Sequence, residues 1–437
     1  MSLAAIDSEY LTLQVGLVEH FAAGGMLAVI KAPPGSGKTH TLIEVLSELA
    51  AGGMRIAVAA QTNSQADDVC HRWVSSHPEI RVTRFASQGL APAPDFPREV
   101  SWVSATSELP TAAGITVATT AKWSLTNVTD PFDLLAIDEA WQMGWADLMQ
   151  CALISGRFLM IGDPGQIPPV VAVDVRRWET SPRAPHLPAP DVVLAEPSLA
   201  GVCFRGSLPA CRRLPHESVP FVRPFYDFDF HAYVPPGARA VRMAAAWAEP
   251  LALGVPVALT LPTPVAGPPV EVDHLVAAAA SDVVAQLLDG AELRMGVQRR
   301  QVRPADIGVT SSHRIMNAAL SAALGVVANE VRVDTPERWQ GLERPVMIAV
   351  HPLSGVTEPS SFDLETGRLC VMASRHTAGL ILLTRDHVGE TLRSFVPSAG
   401  QAPGRPDVVG RGHDAHLRFW DALAAAGSLR AWLDTTG

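Results

Sequence analysis

The apolar run Leu27-Ala28-Val29-Ile30 leads into Ala32-Pro33-Pro34-Gly35-Ser36-Gly37-Lys38-Thr39, and a helical pattern runs from Thr41 to Leu49. Strand, glycine-rich turn and helix in that order leave few folds open. A buried strand feeding a helix belongs in a parallel sheet covered by helices. The turn presents backbone N–H groups at a helix N-terminus, an arrangement that suits phosphate oxygens. Gly35 and Gly37 let the backbone wrap an anion without a Cβ in the way. Residues Pro34 to His40 are the expected nucleotide contact: Lys38 reaches the β- and γ-phosphates, and the Thr39 hydroxyl faces Mg²⁺. Ala32 stands where the pattern G-x-x-x-x-G-K-[ST] opens on glycine, and it keeps that position small.

The basic residues sharpen this reading. Among 34 lysines and arginines the only lysines are Lys31, Lys38 and Lys122. One of them therefore sits where a compact ammonium is preferred to a planar guanidinium. The formal net charge of −10 tells against a passive nucleic-acid coat protein, though not against a channel lined locally by arginine. At 437 residues the chain is long enough for two to three domains. Cys70, Cys151, Cys203, Cys211 and Cys370 show no C-x-x-C spacing, which reads as free thiols in a reducing cytosol rather than a zinc site. The N-terminus lacks a secretory signal pattern, and the apolar stretch 248–270 is broken by Pro256, Pro262, Pro264, Pro268 and Pro269, so a cytoplasmic protein with no membrane partner is expected.

Along the chain, a helix over 7–24 carries Gln14, which is either solvated or placed to read an adenine edge. The strand Arg55–Ala60 ends in Gln61-Thr62-Asn63-Ser64. Polar groups there face the ligand crevice of a parallel sheet, which makes Thr62 and Asn63 candidates for nucleic acid; Asn63 or Ser64 also suits helix capping. Residues 80–114 read as a small insert rich in Pro and Ser. After the next strand, Lys122 meets either a phosphate or water. The strand at 133–137 delivers Asp138 and Glu139 at its end. Asp138 is expected to hold magnesium, and Glu139 to orient and deprotonate an attacking water. The strand at 157–161 runs into Gly162-Asp163-Pro164-Gly165-Gln166-Ile167-Pro168-Pro169, a rigid turn whose Gln166 is placed to sense a γ-phosphate.

This order of motifs resembles a superfamily 1 helicase, of the subclass B branch with RecD-like and up-frameshift-like enzymes. The D-E-A-x-Q box at 138–142 and the G-D-x-x-Q-x-P-P box at 162–169 carry the resemblance. Leu208 to Pro215 with Phe225-Tyr226 is similar to the Y-R-M-H-P segment, with Cys211 and Leu214 as departures. There Arg212 takes the place of a first arginine finger, and Arg213 is the neighbour that can be confused with it. Ser311 to Arg314 resembles a backbone-contacting segment and suggests Arg314 as a nucleic-acid contact. Residues 331–343 resemble motif V: Gln340, Gly341 and Glu343 lie near the nucleotide and Thr335 near a nucleic-acid phosphate. Ser374-Arg375-His376 resembles motif VI, with Arg375 as second finger.

The resemblance spans roughly residues 10–390 and implies two RecA-like doubly wound parallel-sheet lobes in tandem, with ATP and Mg²⁺ between them. The expected divisions are 1–195, 196–395 and a tail at 396–437. The implied activity is ATP hydrolysis coupled to lobe closure on single-stranded nucleic acid, DNA rather than RNA, with 5′-to-3′ polarity. An RNA motor of the same family, and an ATP-switched binding subunit that does not unwind, are the alternatives.

Overall fold

The computed structural model describes residues 2–169, 174–178, 180–397 and 407–432. Contacts divide the chain into two units: residues to Pro164 with Pro168–Pro209, and Gly165–Ile167 with Ala210 onward.

The first unit is built on strands β1 (Leu27–Lys31), β2 (Arg55–Ala60), β3 (Val82–Phe85), β4 (Ser101–Val103), β5 (Gly114–Thr119), β6 (Leu134–Ile137), β7 (Phe158–Gly162) and β8 (Cys203–Ser207). They form one sheet in the order β4-β3-β5-β2-β6-β7-β1-β8, and every pairing is parallel. Strands buried along their whole length explain the near-continuous apolar runs of β1, β2 and β6. Helices α1 (Leu3–Ala22), α2 (Lys38–Ala51) and α3 (Asn63–Ser76) supply much of the cover. Because all strands share one direction, their carboxyl ends line a single edge, where ligands of such sheets bind.

Two expectations change here. The stretch 80–114 is not an insert: β3 and β4 extend the main sheet. These strands are four and three residues long, and β4 is only half-buried, so neither leaves an apolar run to read. The boundary near 195 also moves. Residues to Pro209 stay with the first unit, because β8 pairs with β1 in register from Leu27 opposite Cys203 to Lys31 opposite Ser207.

The second unit continues with β9 (Ala210–Cys211), β10 (His231–Ala232), β11 (Arg239–Arg242), β12 (Val257–Leu261), β13 (Glu292–Met295), β14 (Gln298–Gln301), β15 (Ile307–Thr310), β16 (Arg332–Asp334), β17 (Arg344–Val350), β18 (His376–Arg385) and β19 (Leu429–Ala431). Its main sheet, ordered β16-β15-β17-β18-β12-β19, is again parallel throughout. Strand residues alternate between two cores, as period-2 geometry requires. Val257, Leu259, Val309 and Ile348 pack with Val283 and Leu287 of helix His274–Leu288 and Leu320 of helix Arg314–Leu324. Ala258, Met347, Ala349 and Leu382 pack on the opposite face with Leu369 of helix Thr366–Ser374 and Phe419 of helix Val408–Ala425. Each of the larger side chains, the alanines aside, contributes roughly 1.5–3 kcal/mol by its burial. The sheet is thus covered on both sides, as a doubly wound fold requires.

The segment expected as a separate tail belongs to this unit. Helix Val408–Ala425 buries Ala415, Phe419 and Leu423 in the second core, and β19 adds an edge strand beside β12. A three-stranded antiparallel sheet, β11-β13-β14, completes the unit. Among the described residues, no helix is long and apolar enough to cross a membrane.

Candidate functional site

In the first unit the glycine-rich turn and the paired carboxylates sit at the carboxyl ends of β1 and β6. Gly35 and Gly37 have φ of +59° and +82°, the left-handed region that a Cβ disfavours. Gly37 caps α2 without any side-chain bond, so the leading N–H groups of the helix remain directed at an incoming anion. Ser36 is 1 % exposed and its Oγ has no hydrogen-bond partner. A buried hydroxyl in that condition costs about 1–3 kcal/mol, which accords with a loop shaped around a ligand. The Tyr10 hydroxyl donates to the Ser36 carbonyl at 2.7 Å and ties α1 to the loop. Nothing in the apolar pattern of α1 marks Tyr10 for this role. Gln14, one turn further along α1, is half-buried, and Pro34 is buried in the turn. His40 is exposed beside Glu44, 3.6 Å away.

The Thr39 hydroxyl donates to Asp138 Oδ2 at 3.1 Å. A hydroxyl and a carboxylate are thereby held side by side, and both are the hard oxygen donors that magnesium takes. Lys38 Nζ lies 3.3 Å from Glu139 Oε1, with the two side chains only 11 % and 18 % exposed. Glu139 has a φ of +52°, a left-handed conformation that costs on the order of 1–3 kcal/mol in a non-glycine residue. Its N–H donates to Asp138 Oδ1 at 2.9 Å, and the Asp138 N–H donates to the Ala59 carbonyl on β2 at 3.0 Å. Burial and the neighbouring Glu139 charge lift the Asp138 carboxyl to about 6, against the pull of Lys38. Gly162 explains itself by proximity: a Cβ there would stand 2.7 Å from the Ala140 nitrogen, so the glycine of the G-D box is needed where the D-E-A turn passes β7.

Gln166, expected with the first lobe, groups with the second unit. Its backbone fits there because Gly367 has no side chain; a Cβ on Gly367 would come within 2.6 Å of the Gln166 carbonyl carbon.

In the second unit, Glu343 and Arg375 lie just before the adjacent strands β17 and β18, whose first residues, Arg344 and His376, are paired. Arg375 is 2 % exposed and ends helix Thr366–Ser374; its carbonyl accepts from Arg344 N–H at 2.9 Å. His376 is buried with Nε2 2.9 Å from the Ser218 hydroxyl, and burial drives its ring down to about 3, so it stays neutral beside the arginines. The Arg212 guanidinium lies 3.9 Å from the centroid of the Tyr233 ring, while Arg213 bonds Glu343 Oε2 at 2.6 Å and the Ser374 carbonyl at 3.2 Å. Sequence reasoning assigned the finger to Arg212 and gave Arg213 no contact of its own. Gly341 has a φ of +77°, and Gln340 beside it is half-buried.

At the opposite, carboxyl, edge of the same sheet, β15 and β16 run side by side and deliver Arg314 and Thr335 into one cleft of about 240 Å³. Asn317, Ser321 and Arg338 share its lining with Asp334. Arg338 was not singled out from sequence; its spacing three residues after Thr335 on a one-turn helix was the available signal.

The other three nucleic-acid candidates have partners inside the first unit. Thr62 forms a capping box with Gln65 at the start of α3. Asn63 accepts from Arg84 Nη2 at 2.8 Å. Lys122 Nζ donates to the Ser104 carbonyl at 3.0 Å and lies 4.1 Å from the Phe85 ring centroid, with its pKa lowered by burial.

Residues 9–178 match the AAA domain family. The DNA replication ATP-dependent helicase/nuclease JHS1 of Arabidopsis thaliana is 27 % identical over 157 residues, covering 33 % of this chain and 11 % of that protein. The DNA polymerase alpha-associated DNA helicase A of Schizosaccharomyces pombe is 42 % identical over 57 residues, covering 13 % and 9 %. The crystal structure of Arterivirus nonstructural protein 10 (helicase) aligns with a TM-score of 0.45 at 15 % identity, covering 87 % of this chain and 64 % of that one. The chain spans about a tenth of the length of the curated relatives it matches. The phosphate loop, D-E-A-x-Q box and G-D-x-x-Q box thus follow one another on a parallel sheet within the region that matches the AAA domain, in a chain similar over part of its length to replication helicases.

Proposed function

We propose that this chain is an ATP-driven motor of helicase subclass B acting on single-stranded nucleic acid, with DNA as its track and 5′-to-3′ as its direction. The observation that carries the reading is the pairing of Lys38 with Glu139 and of Thr39 with Asp138 at one sheet edge. Thr39 and Asp138 would hold a magnesium ion, whose charge would help neutralise the phosphates of ATP, and the backbone of 34–40 with Lys38 would orient those phosphates. Glu139 takes the proton of the attacking water. Arg212 and Arg375 of the second unit neutralise charge that develops on the transferred phosphoryl group, and Gln166 reports its loss. Gln14 reads the base, while Gln340, Gly341 and Glu343 contribute from the second unit. Arg314, Thr335 and Arg338 hold the nucleic-acid backbone; such contacts to phosphate carry little sequence information.

The test is strand displacement on duplexes bearing a 5′ or a 3′ single-stranded tail, in DNA and in RNA, with and without ATP. ATP-dependent unwinding of the 5′-tailed DNA is expected. Unwinding of RNA alone would move the track to RNA. ATP-dependent binding without displacement on any substrate would replace the motor with a nucleotide-switched clamp.

A further inference from the structure

We infer that Arg213 is a positioning residue that preassembles the second unit's contribution to ATP hydrolysis, an inference that rests on the function proposed above. Three separate segments meet at its guanidinium. The residue itself follows Arg212. Its Nε donates to Glu343 Oε2 at 2.6 Å, and its Nη1 donates to the carbonyl of Ser374 at 3.2 Å. Ser374 is the last residue of helix Thr366–Ser374, and Arg375 follows directly. The last carbonyls of a helix have no partner within it, and a cation near them both satisfies the oxygen and complements the helix dipole. Arg213 therefore fixes the backbone from which Arg375 projects. Its other arm fixes the carboxylate of Glu343, in the loop that carries Gln340 and Gly341.

The surroundings hold Arg213 as firmly as it holds its partners. Its side chain is 12 % exposed. Arg239 donates through Nη1 to the carbonyls of both Arg212 and Arg213, which pins the turn that bears the two arginines. A second tie, from Arg344 N–H to the Arg375 carbonyl at 2.9 Å, closes the same loop from the strand side. The Arg213 guanidinium, the Glu343 carboxylate and the Ser374 carbonyl are thus set at fixed separations. A guanidinium does this where an ammonium does not, because its planar fork serves two acceptors in fixed directions.

The experiment measures steady-state ATP hydrolysis and, separately, binding of a non-hydrolysable ATP analogue for the parent, Arg213→Ala, Arg213→Lys, Glu343→Gln and the Arg213→Ala/Glu343→Gln double variant. Thermal melts identify any variant that fails to fold. The inference predicts that kcat of Arg213→Ala falls on the order of 10²-fold, the size expected from a misplacement of about 1 Å, while analogue affinity changes less than about threefold. Arg213→Lys recovers only a small part of kcat. The double variant loses clearly less than the product of the two single losses, because both singles break one interaction. Parental kcat in a folded Arg213→Ala, or losses in Arg213→Ala and Glu343→Gln that multiply independently, would overturn it. If Arg213→Ala does not fold, the Lys and Gln variants decide the question: parental kcat in Arg213→Lys refutes the bridging role. Absence of ATP hydrolysis in the parent protein would refute the proposed function instead.

Discussion

Asp138→Asn is expected to make the ligand-free protein more stable while abolishing its turnover. Asp138 is 7 % exposed, and its carboxyl is lifted from 3.8 to about 6 by burial and by the adjacent Glu139. A carboxylate whose pKa is raised in the folded state costs stability once it ionises. The cost is absent below the unfolded value near 4, grows as pH rises toward 6, and is fully present above 6. The displacement corresponds to roughly 3 kcal/mol at neutral pH. Asparagine removes this cost and can keep both local bonds, its Oδ1 accepting from Glu139 N–H and its amide meeting the Thr39 hydroxyl. The attraction of Lys38 is already netted out of that figure; burying the asparagine amide offsets part of it, so a net gain of about 2 kcal/mol is expected. For a unit of roughly 200 residues that raises Tm by about 4–8 °C. Differential scanning calorimetry from pH 4 to pH 8 in EDTA, without nucleotide, measures it. The gain should be full at pH 7.5 and should vanish near pH 4. A variant that melts at or below the parent at pH 7.5, or whose offset is the same at every pH, would refute the electrostatic reasoning.

Other outcomes follow from the same geometry. Lys38→Ala removes the point charge beside Glu139 and should reduce ATP hydrolysis by more than about 10²-fold; parental turnover would refute the loop assignment. Arg375→Ala should slow hydrolysis on the order of 10³-fold or more with a smaller effect on nucleotide affinity, read from kcat and analogue binding together. Arg338→Ala should weaken single-stranded DNA binding and lower the slope of log affinity against log salt by about 1, measured by fluorescence anisotropy; an unchanged slope would remove it from the interface.

The proposed phosphate loop and carboxylate pair of the first unit were legible as motifs because their residue types stand at fixed spacing. Gly35, Gly37, Lys38 and Thr39 follow a strand, Asp138 and Glu139 end another, and buried parallel strands give the apolar runs that frame them. Gly162 was legible as a motif, although its reason, the close approach of Ala140, needed the fold. What was not legible shares one feature: the signal lay in tertiary proximity. Strands β3 and β4 are too short to show a period, and β19 is three residues at a sheet edge. Arg212 and Arg213 are adjacent, and the departures at Cys211 and Leu214 removed the residues that would have fixed the register; only the bonds to Glu343 and Ser374 tell the two apart. Thr62 and Gln65 form a capping box that the spacing T-x-x-Q displays, whereas Asn63 meets Arg84 and Lys122 meets Ser104 through packing that spacing does not show.

The central claim is that hydrolysis at the Lys38–Glu139 and Thr39–Asp138 constellation is coupled to a nucleic-acid track. It is tested most directly by the ATP hydrolysis rate measured with no polymer, with single-stranded DNA and with single-stranded RNA, at one low salt concentration because phosphate contacts are salt-sensitive. Strong stimulation by DNA, lost in Lys38→Ala, is expected. Hydrolysis at the same rate under all three conditions would contradict it.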